Sequence, residues 1–177
     1  MICINTEIPA DICDIDDELK AIYHSRDTVC IWVFKTRQDR NNFMDKTAGM
    51  KKNERENYYL IGLLERRLDA VIYRAKFATT VFSSRQLINH GHVRVNGKKV
   101  NIGSYIVKEE DTIEIRDKSK QLAIIDIALA SKERETPEYI QMDEKNKKVK
   151  FVRTPKFEEV PYPIVMEPNL VIEYYSR

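Results

Sequence analysis

His90 and His92 stand on either side of Gly91. As a catalytic or metal-binding pair they would need a carboxylate or thiolate at a matching spacing, and the neighbouring sequence supplies none. Cys3, Cys13 and Cys30 are separated by nine and sixteen residues, whereas zinc sites usually bring a ligand pair to a spacing of about two to four residues. There is no HExxH and no Gly-rich phosphate loop. The spacing therefore predicts no metal, no cofactor, no catalytic residue and no small-molecule substrate. What remains is a set of cations. Arg66, Arg67, Arg74, Lys76, Arg85, Arg94, Lys98 and Lys99 fall in one short stretch, with Ser83, His90 and His92 among them. An arginine forks two hydrogen bonds to a phosphate and stacks on an exposed base; a lysine offers a point charge. Asp69, just after Arg66 and Arg67, is expected to pair with an arginine or to cap backbone groups, and not to act as an acid.

These side chains need elements to carry them. Leu60, Leu64, Leu68, Val71 and Ala75 recur at three- and four-residue spacing, which predicts one helix with Arg67 and Arg74 at the edge of its apolar face. A second helix is expected after an N-cap at Thr79 or Thr80. Its inner face would hold Val81, Ser84, Leu87 and Ile88, and Gly91 would stop it. Phe82 is expected to pack against the first helix; stacking on a base is the alternative. Residues 92–95 alternate as a half-buried strand does. Asn96-Gly97 is a strong signal for a tight hairpin, because both residues tolerate positive φ.

Charge follows the same division. The net charge of +2 is the sum of −5 over residues 1–33, +2 over 34–50, +8 over 51–108 and −3 over 109–177. A local basic footprint suits a polyanionic partner, although a solvated charged face reads the same way. With 42% hydrophobic and 33% charged residues, the chain is expected to fold as one or two soluble domains. No apolar run approaches the roughly 20 residues of a membrane span. The odd cysteine count fits a reducing cytosol. The N-terminus has neither signal-peptide nor transit-peptide character.

The segments ENYYLIGLLERRLDAVIYRAKF and TVFSSRQLINHGHVRVNGKKVNI resemble the S4-type RNA-binding module. Joined to the terminal LVIEYYSR, they resemble the bacterial small-subunit ribosomal family from which the module takes its name, over residues 37–177. The module also occurs in RNA-modifying enzymes and a tRNA synthetase, but no catalytic-domain length or motif lies outside it here. The resemblance implies an α+β fold: two helices on a mostly antiparallel sheet over residues 60–160, beside a small helical domain of residues 34–59 completed by 161–177. It implies binding to 16S-type rRNA at a multi-helix junction, early in assembly, and support of decoding accuracy through neighbouring small-subunit ribosomal proteins. The place of action would be the cytoplasmic ribosome, away from membranes. Under it, the cations above with Ser83, His90 and His92 become the expected RNA contacts. The rival is a stand-alone S4-module translation or stress factor. Residues 1–33 depart from the family: its arginine-rich start, Pro-Gly-x-His-Gly motif and four-cysteine cluster are missing.

Elsewhere, residues 10–23 are expected to form a short acidic helix, 29–34 a buried strand and 37–52 a helix. Residues 53–57 read as a polar connection. Short strands are expected at 106–107, 112–116, 139–142 and 149–152, with a helix at 121–131. Pro161, Pro163 and Pro168 force an extended path. The final segment is β-branched and reads as strand by propensity, whereas the resemblance implies a short helix.

Overall fold

A computed structural model describes residues 2–4, 10–24, 29–131 and 133–175. The chain divides into two compact units. One combines the residues up to Tyr59 with those from Ile164 onward; the other is Leu60–Pro163.

In the first unit, β1 (Ile2–Ile4), β2 (Lys20–His24) and β3 (Val29–Val33) form an antiparallel sheet in the order β1-β3-β2. The apolar run expected as a strand is its central member, as its β-branched composition favours. The acidic helix expected over 10–23 is replaced by a single turn, α1 (Ala10–Cys13), and a 3-10 turn at Asp17–Leu19. The Asp16 carboxylate accepts the Glu18 N–H at 3.0 Å and ends helical propagation. From Lys20 onward the backbone is claimed by β3, with Lys20 opposite Val33 and Ile22 opposite Ile31. Helix α2 (Arg37–Lys46) is capped by Thr36, whose hydroxyl accepts the Asp39 N–H. It stops earlier than expected. Thr47 bonds back to the Phe43 carbonyl at 2.7 Å, and Gly49 takes φ +77°. Trp32, Phe43 and Ala21 are buried together, with Phe34 and Tyr59 against them. The Phe43 ring lies 5.4 Å from Trp32 and meets Tyr59 edge-on at 5.8 Å.

The expected connection at 53–57 is helical, within α3 (Lys52–Glu65). The Glu54 carboxylate accepts the Lys51 N–H at 3.1 Å at its start. A single helix over 60–75 is not formed. The helix is interrupted at Arg66-Arg67, and α4 (Leu68–Arg74) starts afresh. The N–H groups freed by the break are taken by a distant loop: Leu68 donates to the Tyr105 carbonyl at 2.8 Å and Asp69 to that of Gly103 at 3.0 Å. Leu64 is accordingly exposed. Helix α5 (Val81–Asn89) begins at Thr80, whose hydroxyl accepts the Ser83 N–H, and Gly91 follows it at φ +74°.

The second sheet contains β4 (Val93–Val95), β5 (Lys98–Lys99) and β6 (Thr112–Ile115), followed after α6 (Ala123–Ala130) by β7 (Ile140–Asp143) and β8 (Lys148–Phe151). All pairings are antiparallel, in the order β5-β4-β6-β8-β7. Opposed residues share a face. Val95, Ile113, Val149 and Met142 therefore form one row towards the core, and Arg94, Glu114, Lys148 and Asp143 form a row on the other face. The core joins Leu68, Val71, Ile72, Phe77, Leu87 and Ile88 from the helical part to Val93, Val95, Ile113, Ile115, Val149 and Phe151 from the sheet. This is an α+β fold. The strand expected at 106–107 is reduced to one bridge, Ile106 to Arg67. The terminal segment is a helix, α7 (Pro168–Tyr175), with proline at its first position, where no N–H is required.

Candidate nucleic-acid interface

Asp69 is the electrostatic centre of the α4–α5 pair. It is 1% exposed, and a buried carboxylate needs partners. Arg67 supplies two: Nε donates to Oδ1 at 3.0 Å and Nη2 to Oδ2 at 2.8 Å. Arg85, sixteen residues on, donates from Nε to Oδ2 at 2.8 Å. Burial pushes the Asp69 carboxyl up, but the hydrogen bonds from Arg67 and Arg85 outweigh it and leave it below the usual carboxylate range. The Asp69 bond in turn holds the Arg67 guanidinium above its ordinary value. Each arginine keeps part of its guanidinium in solvent, with side chains 31% and 47% exposed. The backbone approaches closely at Gly103: a Cβ there would stand 3.3 Å from Arg85 Cγ and 3.5 Å from Asp69 Oδ2. Asp69 thus pairs with arginines, as expected, and orients two cations outward.

A second carboxylate has the opposite effect. Glu65 is buried at the end of α3. Arg74 meets it with Nε on Oε2 and Nη2 on Oε1, both at 3.0 Å. Tyr139 and Tyr162 donate their hydroxyls to the same carboxylate at 2.8 and 3.0 Å. Burial and the adjacent Glu65 charge push both phenols far up, so they remain protonated donors. Arg74 is 12% exposed in its side chain, and its place among the expected phosphate contacts is corrected: it is an internal counter-ion. Sequence gave no sign of this, because Tyr139 and Tyr162 lie 74 and 97 residues from Glu65.

The remaining expected residues are distributed over three places. Arg66 donates Nε to the Val107 carbonyl at 2.9 Å, tying the break between α3 and α4 to the loop after the hairpin. Lys76 takes φ +60° just after α4. Ser83 sits in the first turn of α5, half-buried. At the helix-to-strand corner, His90 is exposed and its ring lies 6.1 Å from that of His92. His92 Nδ1 is 2.8 Å from Ser119 Oγ. Lys99 runs across Gly91, where a Cβ would collide with its Cε and Nζ. Arg94 lies opposite both Lys99 and Glu114 on the outer sheet face. Lys98, opposite Val95, projects to the other face at the exposed edge strand. Arg67 and Arg85 are therefore brought together on one carboxylate, while Lys98 and Lys99 diverge.

Asn96 and Gly97 form the expected hairpin turn at φ +49° and +76°. Asn96 also fixes its neighbour, donating Nδ2 to Asp111 at 2.8 Å and accepting the Thr112 N–H at 2.9 Å. Phe82 departs from expectation. It does not pack against α4; it is 79% exposed, with the Arg85 guanidinium 6.0 Å from its ring centroid. Among the described residues no group of three His, Cys, Asp or Glu is placed to hold a metal ion. No described helix is long and apolar enough to cross a membrane.

Residues 66–113 match the S4 domain family. That span contains the Arg67–Asp69–Arg85 cluster, α5 and the hairpin. Small ribosomal subunit protein uS4 of Pelagibacter ubique is 81% identical over 136 residues, covering 77% of this chain and 65% of that protein. The proteins of that name from Gluconobacter oxydans and Parvibaculum lavamentivorans are 61% and 63% identical over 135 and 118 residues. They cover 76% and 67% of this chain, and 65% and 57% of their own lengths. The chain thus spans a little under two thirds of these relatives. It carries an S4 domain at residues 66–113 and, over about three quarters of its length, resembles the uS4 family of small-subunit ribosomal proteins.

Proposed function

We propose that this chain is a structural, non-catalytic component of the small ribosomal subunit that binds 16S-type rRNA and helps to shape it during assembly. The carrying observation is the Arg67–Asp69–Arg85 cluster inside the S4 domain. Two guanidiniums fixed on a buried carboxylate lose little freedom when phosphates arrive, which suits a rigid surface that reads backbone and shape. The names carried by the similar proteins support the ribosomal reading over a stand-alone factor. The proposed contacts are Arg66, Arg67, Lys76, Ser83, Arg85, His90, His92, Arg94, Lys98 and Lys99, without Arg74. The Leu60–Pro163 unit would act as the RNA-binding domain. Neighbouring small-subunit proteins would be its other partners, on the cytoplasmic ribosome, with support of decoding accuracy as the consequence.

Sedimentation tests this. The tagged chain should travel with small subunits in a gradient and remain with them through a high-salt wash. Release in the wash would identify a transient factor instead.

A further inference from the structure

We propose that Phe82 is a stacking platform for one unpaired base of the bound RNA. The inference rests on the RNA-binding reading and names the element of RNA that the Asp69 cluster presents itself to.

Phe82 lies in the first turn of α5, three residues before Arg85, so the two share a face of the helix. The ring is 79% exposed although α5 buries Ser84, Leu87 and Ile88 against the core. Its surroundings are polar: Thr79, Thr80 and Gln86 are all exposed. The Arg85 guanidinium stands 6.0 Å from the ring centroid, and its Nε bond to Asp69 prevents it from swinging away. An aromatic face beside a fixed cation is the pair of groups that holds a splayed nucleotide: the base stacks on the ring while the cation meets its phosphate. Aromatic residues and arginine also suit a protein interface, but the surrounding stretch, residues 51–108, carries a net charge of +8, which favours a polyanion. Its cations here are the Arg67 and Arg85 guanidiniums, and the balancing carboxylate, Asp69, is sealed beneath them. The Gly103 backbone lies close to the same cluster, and Ile102 and Tyr105 of its loop are exposed.

The test uses the full chain and a 16S-type rRNA transcript. The chain has one natural tryptophan, Trp32, which is buried, so Phe82→Trp adds an exposed reporter. Its added emission should be quenched as RNA is titrated, with affinity near that of the parent. Phe82→Leu should weaken binding about five- to a hundredfold, the range for one base–aromatic stack, with the salt dependence unchanged because no charge is lost. Unchanged affinity of Phe82→Leu together with unquenched Phe82→Trp overturns the stacking role while leaving RNA binding intact. Loss of subunit incorporation by Phe82→Leu at unchanged RNA affinity assigns the ring to a protein contact and overturns it too. A parent chain that binds no RNA removes the functional reading and this inference together.

Discussion

Glu65 and Arg74 meet at two points, 3.0 Å on each branch, inside the second unit. Tyr139 and Tyr162 complete the carboxylate's bonds, and the Arg74 Nη1 reaches the Pro161 carbonyl at 3.2 Å. The pair holds the end of α3, α4, the residue before β7 and the segment after residue 160 in one arrangement. Removing the cation alone leaves a buried anion. Arg74→Gln should therefore lower stability by about 3 kcal/mol, the scale for breaking a buried pair from one side, as read from denaturant melts. RNA affinity per folded molecule should remain that of the parent.

Asp69 sets a pH dependence. Its carboxyl lies below the usual range when folded, and an unfolded aspartate titrates near about pH 3.9. Its contribution is then fully present above about pH 4 and is lost as pH falls through the folded value. Asp69→Asn should be less stable than the parent at pH 7. The gap should close below about pH 4, as Asp69 of the parent protonates. Urea melts of both proteins across that window check the sign.

The hairpin turn isolates backbone strain. Nothing stands within 4 Å of a Cβ built on Gly97, yet its φ is +76°. Gly97→Val should cost about 1–3 kcal/mol through conformation alone, and Gly97→Asn much less, because asparagine tolerates the left-handed region. Equal melting temperatures for Val and Asn would contradict this.

Arg85→Gln addresses RNA directly. Arg67 still neutralises Asp69 in that variant, so the fold should hold. Each lost phosphate contact should flatten the log–log salt slope by about 0.7 to 0.9. The double substitution Arg67→Gln with Arg85→Gln should in addition lower the melting temperature, because it strips a buried carboxylate of both cations. Lys145→Gln, exposed in the turn between β7 and β8, should change neither quantity.

What sequence revealed depended on how local the cause was. Thr80 caps α5 three residues away, and Asn96-Gly97 needs only its own φ angles, so both were legible. The break at Arg66-Arg67 was not. The apolar spacing from Leu60 to Ala75 runs straight through it, and the groups that stabilise the break, at Gly103, Tyr105 and Val107, come from a loop beyond the hairpin. Arg74 looked like a surface cation for the same reason: its anion is sealed by tyrosines distant in sequence. Packing of Phe82 against the first helix was the expectation, with base stacking the alternative, but the α5 core face is filled by Ser84, Leu87 and Ile88 and Phe82 is left exposed. In the first unit, the acidic composition of residues 10–23 suggested helix, and pairing of Lys20–His24 with Val29–Val33 overrode it. The division of the expected cations into the Asp69 pair, the diverging Lys98 and Lys99 and the internal Arg74 was not legible, because it depends on partners from other elements.

The division of the chain has a consequence for the order of synthesis. The Leu60–Pro163 unit is continuous, whereas its companion combines residues on both sides of it. During translation every strand of the five-stranded sheet has been made before α7 emerges. Helix α7 belongs to the same unit as the residues up to Tyr59, so that unit is completed only after the five-stranded sheet has been made. The Arg67–Asp69–Arg85 cluster can therefore be in place while the other unit is still incomplete, and under the proposed function a nascent chain would engage RNA before it has finished folding.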